Sequence, residues 1–217
     1  MRPAAGILGI TPHSGWAAAV LLAGTPQEPR VILRERLELS EARLAGSKQP
    51  YHALEGLPLA QAQRQLARFC TSASGLAEGA LRALLARAQA AGVELHGAGI
   101  LDSSGRSGAT LAAILASHAL IHTADGNHFR AALAQACQAL GLRVARIPQR
   151  ELPARATAAL RESPQQLAAT LKALGRGMGS PWGADQKDAT LLAWLLLAGG
   201  ARWPRATAAT REHSSST

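Results

Sequence analysis

The first forty residues can be folded in few ways. Residues 6–11 (Gly-Ile-Leu-Gly-Ile-Thr) form a short apolar run stopped by Pro12, and residues 16–23 (Trp-Ala-Ala-Ala-Val-Leu-Leu-Ala) form a second. Apolar runs this short, bounded by turn-forming residues, suit buried strands. Between them lies Pro12-His13-Ser14-Gly15, whose residue types suit a tight turn. Residues 24–29 supply a second turn rich in Gly and Pro. Residues 30–39 then alternate, with Val31, Leu33, Glu35, Leu37 and Leu39 on one side and Arg34, Arg36 and Glu38 on the other. That pattern describes a half-exposed third strand towards a sheet edge. The chain therefore opens as an antiparallel three-stranded meander.

Beyond residue 39 the hydrophobic period changes. Residues 40–58 read as a loop containing Lys48-Gln49-Pro50-Tyr51-His52, with Tyr51 either paired to His52 or packed on the surface. Residues 59–92 place Leu66, Phe69, Cys70, Leu81, Leu84 and Leu85 at near-helical spacing, with a bend expected at Ser72-Ala73-Ser74-Gly75. Residues 94–102 read as a fourth strand ending at Asp102, and 142–148 as a fifth. Helices are expected over 109–120, 129–140, 184–197 and, as one or two pieces, 153–174, with Asp125-Gly126 either a break or a bent continuation and a glycine-rich segment at 175–183. The order β-β-β-α-β-α-β-α implies one mixed five-stranded sheet with helices on both faces. One α/β domain over residues 1–200 and a flexible tail at 201–217 are expected.

Composition narrows the partners. Hydrophobic residues make up 47% of the chain, enough for a core, but aromatics only 3%, so close packing of Ala, Leu, Ile and Val must supply it. The formal charge of +9 is carried mostly by scattered arginines. It suits a polyanion such as nucleic acid, or reflects solvated faces in an Arg-rich composition. Cys70 and Cys137 lie in helical patterns without a Cys-x-x-Cys partner and read as small core residues of a reduced protein. With no signal-like or membrane-spanning segment in the pattern, a cytoplasmic location and no membrane partner are expected. A homo-oligomer is compatible with all of this.

The element order and the opening Ile7-Leu8-Gly9-Ile10-Thr11-Pro12-His13-Ser14-Gly15-Trp16 resemble the ribonuclease H-like superfamily, nearest to the RuvC-type resolvases. Lys187-Asp188-Ala189 before an apolar run resembles that family's last helix. The resemblance implies hydrolysis of phosphodiesters by Mg²⁺ or Mn²⁺ held between carboxylates on the first strand, the fourth strand and the last helix. It assigns those roles to Asp102 and to Asp188, with Asp185 one turn earlier. At the first-strand position stands Thr11, which is neutral. Either the reaction has been lost or another acidic residue has taken the role. Thr11 and Ser14 in the opening turn, with Arg106 and Arg130, are candidates for binding phosphate.

The densest chemistry lies at residues 117–130, Ser-His-Ala-Leu-Ile-His-Thr-Ala-Asp-Gly-Asn-His-Phe-Arg. On one continuous helix His118, His122 and Asp125 would share a face. They could then hold Zn²⁺, with His128, Asp102 or His52 as a further ligand, or act as an acid–base group. The alternative is structural: the histidines bridge helices and Asp125 caps the helix carrying Phe129. Three functions are compatible with these residues. In a nuclease, Asp102, Asp125 and Asp188 are catalytic and His118 or His122 activates water. The others are a catalytically inactive nucleic-acid-binding or scaffold protein, and a small-molecule enzyme built on the histidines.

Overall fold

The computed structural model describes residues 3–103 and 108–199; Arg106 and the tail at 201–217 lie outside them. Strands β1 (Ala4–His13), β2 (Trp16–Gly24) and β3 (Pro29–Glu38) form the antiparallel meander. Gly15, with φ of 81°, makes the first turn in the left-handed region where a side chain is strained. Helix α1 (Leu59–Ala90) leads to β4 (Val93–Asp102), which pairs parallel to β1; α2 (Leu111–Leu115) and α3 (His118–Ala139) lead to β5 (Arg143–Pro148), parallel to β4. Helices α4 (Leu152–Leu160), α5 (Pro164–Leu174) and α6 (Ala184–Gly199) complete the described chain. The sheet order is β3-β2-β1-β4-β5, so the mixed five-stranded sheet expected from the sequence is present.

Strand alternation sorts the core into two layers. Leu8 and Ile10 of β1 and Ala98 and Ile100 of β4 face α1 and α3, packing on Leu81, Phe129 and Leu133. Ile7 of β1, Leu101 of β4 and Ala145 and Ile147 of β5 face α4, α5 and α6. Gly9 lies on this second side. A Cβ built there would stand 1.8 Å from the Ala189 carbonyl oxygen of α6, so only glycine lets the helix backbone settle onto β1. Gly99 does the same for the side chains of Leu192 and Leu196.

Three expectations are corrected. Helix α1 runs unbroken through Ser72–Gly75, where Ala73 and Ala77 are buried in the core shared with the sheet. The helix expected over 109–120 instead breaks at Ala116-Ser117, and α3 continues through Asp125-Gly126. Asp125 is thus an interior helix residue and caps nothing. Cys70 is exposed, while Cys137 is a core residue whose thiol burial pushes up to about 12. Of the two arrangements expected for 153–174, the structure has two helices: Arg161 adopts φ of 56°, and Ser163 with Gln166 forms a capping box that starts α5.

Candidate functional site

In a sheet of this order the carboxyl ends of the parallel strands share one edge with the β1–β2 turn. Here β1 ends at His13 and β4 at Asp102, and α3 enters from above that edge. Of the sequence-derived candidates, Asp102 and Arg130 lie towards that edge on one face and Thr11 and Asp188 on the other.

Asp102 has the parity of Ala98 and Ile100, so its side chain lies on the α3 face. Its Oδ1 accepts from Arg146 Nη2 at 2.8 Å and from the Ser103 backbone N–H at 3.1 Å, and Arg130 Nε lies 4.0 Å away. Arg130 donates through Nε to the Leu101 carbonyl at 3.0 Å and through Nη1 to the Gly126 carbonyl at 2.6 Å, which fixes the guanidinium under the end of β4. Burial lowers its pKa, with the Asp102 charge opposing. Ser103 reaches α3 through Asn127 at 3.1 Å. Arg150 and Gln149 complete a small cleft with Asp102, Ser103 and Arg130. Arg146 and Gln149 carry no motif and were missed; the only available signal was their placement at and just after the end of the fifth strand.

Thr11 lies on the opposite face, buried, and its hydroxyl donates to the Asp185 carbonyl of α6 at 3.2 Å. His13 Nε2 is 3.0 Å from the Asp185 carboxylate, and its ring stacks on Trp16. Asp188 accepts from Gln149 Nε2 at 3.1 Å. Burial raises the Asp188 pKa, the Gln149 hydrogen bond lowers it, and neighbouring Asp185 raises it again. Ser14 is exposed at the tip of the β1–β2 turn. The residue beside Thr11 on β4, one step past the Ile10–Ile100 pair, is Leu101. Thr11 thus meets the start of α6 at Asp185, one turn before Asp188, while Asp102 has the opposite parity and shares its cleft with Gln149, the donor to Asp188.

Asp125 is also separate from Asp102 and Asp188. Only 3% exposed, it accepts from the Tyr51 backbone N–H at 2.6 Å and pairs with His52 Nδ1 at 2.5 Å. The 40–58 loop is thereby fastened to α3. His118 and His122 stand one turn apart on α3, with Nε2 atoms 3.0 Å apart and His52 beside them. His128 points elsewhere, into a cavity of about 350 Å³ between α1 and α3 that Tyr51 and Cys70 also line. Its Nδ1 is 4.0 Å from Cys70 Sγ. Burial lowers the His128 pKa and raises that of the Cys70 thiol, so at neutral pH this pair is an uncharged imidazole beside a protonated thiol, not an activated nucleophile.

No family model matches the chain, and no curated protein matches it in sequence. Among solved structures it is similar to Thermus thermophilus RuvC in complex with a Holliday junction substrate, with a TM-score of 0.52 and 12% identity over 89% of this chain and 93% of that one. A second T. thermophilus RuvC structure matches with a TM-score of 0.51 and 11% identity, over 89% and 94% of the respective chains. The chain has the RNase H-like fold, a mixed α/β sheet shared with RuvC.

A pair of Mg²⁺ or Mn²⁺ ions, which the resemblance implies, needs clustered carboxylates. The residues present do not fit that centre. Thr11 offers a hydroxyl already donated to a carbonyl. Asp102 faces the other side of the sheet and is matched to guanidiniums. Asp185 and Asp188 remain as a pair on one helix. Among the described residues, the group of three or more metal-competent side chains that converges is His52, His118 and His122.

Proposed function

We propose that the chain is a nucleic-acid-binding protein of RNase H-like fold that grips backbone phosphates at the sheet edge without hydrolysing them. The observation carrying this reading is the cleft at the end of β4 and β5, which Arg130 and Arg150 line with Asp102 while Arg146 pairs with that carboxylate. Three guanidiniums against one carboxylate leave a positive surface, and a planar guanidinium suits bidentate contact with phosphate. The net charge of +9 favours the same class of partner. The fold it shares with a RuvC solved on a Holliday junction adds support. Ser14, exposed on the β1–β2 turn, is a further candidate contact, whereas the buried and already donated hydroxyl of Thr11 does not suit phosphate.

Fluorescence anisotropy with a four-way junction, a duplex and a single strand, across a salt series, tests the reading. Binding should weaken steeply with salt, and Arg150→Ala should weaken it for every substrate while lowering the salt slope by about one. Absence of binding at low salt overturns the proposal. So does Mg²⁺- or Mn²⁺-dependent cleavage that Asp188→Asn abolishes, because Asp102 and Asp188 would then hold a catalytic metal.

A further inference from the structure

The histidine cluster lies outside the phosphate-binding surface and is not needed by it. His118 and His122 occupy the first two turns of α3, at i and i+4, and both are exposed. His52 opens a short 3-10 helix (His52–Leu54) in the loop before α1. One ligand atom from each of the three lies within 4.8 Å of the others. The rings meet edge to face, with centroids 4.5 Å apart for His118–His122 and for His52–His122, and 5.5 Å apart for His52–His118. The 3.0 Å between the Nε2 atoms of His118 and His122 is close to the separation of about 3.3 Å that two imidazoles adopt on one tetrahedral Zn²⁺.

The surroundings prepare these rings as ligands. Asp125 accepts from His52 Nδ1 and, being buried and already holding the Tyr51 N–H, fixes the tautomer that leaves the Nε2 lone pair available. Glu55 Oε1 lies 3.6 Å from His118 Nδ1, so a second imidazole has a carboxylate behind the nitrogen that faces away from His122. A carboxylate behind a ligating imidazole raises its basicity and orients the ring. Three nitrogen donors select a borderline transition ion and discriminate against Mg²⁺ and Ca²⁺, which want oxygen.

We infer that His52, His118 and His122 form a three-histidine site for Zn²⁺ or a similar divalent transition ion. Asp125 and Glu55 act as the outer carboxylates, and a fourth coordination position opens to solvent. Asp125 is then a positioning residue, not a ligand. The ion fastens the 40–58 loop to the start of α3, and the open position takes water or an anionic oxygen, as in zinc sites with three protein ligands.

Calorimetric titration of the chelator-stripped full chain with ZnCl₂ tests the site, and the visible absorption of Co²⁺ reports its geometry. One equivalent should bind. His118→Ala and His122→Ala should each weaken binding at least tenfold, the double variant should abolish it, and Asp125→Asn should weaken it ten- to a hundredfold. His96→Ala, half-exposed on β4, should change nothing. Zn²⁺ should raise the melting temperature of the wild type and not of the double variant, whose metal-free melting temperature and circular dichroism should match the wild type. Failure of the wild type to bind a stoichiometric ion overturns the inference, as does binding that survives in the double variant. Neither result bears on nucleic-acid binding, which is read separately.

Discussion

At the scale of single residues, Asp188 and His128 are held against their ordinary ionisation. Burial and the neighbouring Asp185 charge disfavour the ionised form of Asp188, so folding is opposed, not helped, by its charge at neutral pH. Asp188→Asn should leave the urea midpoint at pH 7 unchanged or raise it, and a marked fall would show that the carboxylate makes a stabilising contact. For His128 the sign runs the other way. Its folded pKa is lowered, so below about pH 6.5 the unfolded chain binds the proton more readily. The contribution is complete above that pH and is lost as acidification proceeds towards the folded value. Denaturant midpoints at pH 7.5 and 5.5 should therefore drop on acidification, and His128→Gln should remove part of the drop. An identical drop in the variant would place the titration elsewhere.

At the scale of elements, the helix-to-sheet contacts decide which substitutions the chain tolerates. Gly9→Ala drives a methyl into the Ala189 carbonyl of α6 and should cost at least about 3 kcal/mol, because backbone on both sides leaves nothing to yield. Gly75 and Gly79 sit on the exposed side of α1 with nothing within 4 Å of an added Cβ. Gly79→Ala should stabilise the protein by about 0.8–1 kcal/mol through helix propensity alone. Chemical denaturation of the two variants checks both signs. The same contacts explain what the sequence let one read. The five strands were legible because apolar runs and turn residues mark them, but the bulge that shifts the β2–β3 register between Leu21 and Leu22, and so separates Val31 from Leu33, was not. The face on which Asp102 emerges was not legible. Ile100 and Leu101 are both buried because helices cover both sides of β4, so hydropathy does not alternate there and the parity of the next residue is hidden. Likewise the Asp125–His52 pair joins residues 73 positions apart, and no local pattern announces it.

At the scale of the whole molecule, the site divides along the sheet. One face carries Asp102 among arginines, the other carries Thr11, Asp185 and Asp188 with His13, and the histidine group rides on α3 beside the 40–58 loop. Residues 117–130 border the end of β4 through Arg130 and Asn127, which touch Leu101 and Ser103. Among the described residues no helix is long and apolar enough to cross a membrane. A net charge of +9 repels itself in the compact state. Raising NaCl from low to moderate concentration, where the screening length falls below about 10 Å, should raise the melting temperature by a few degrees. A fall would mean that ion pairs such as Arg146–Asp102 outweigh the repulsion.

The seating of α6 on Gly9 also has a consequence in time. The face of β1 that carries Ile7, Gly9 and Thr11 is covered by a helix that begins only at Ala184. During synthesis at about 5–20 residues per second, that face stays uncovered for roughly 10–35 s after it leaves the ribosome. The nascent chain must carry an open apolar strand until the residues between β1 and α6 have been made, and α6 is what closes it.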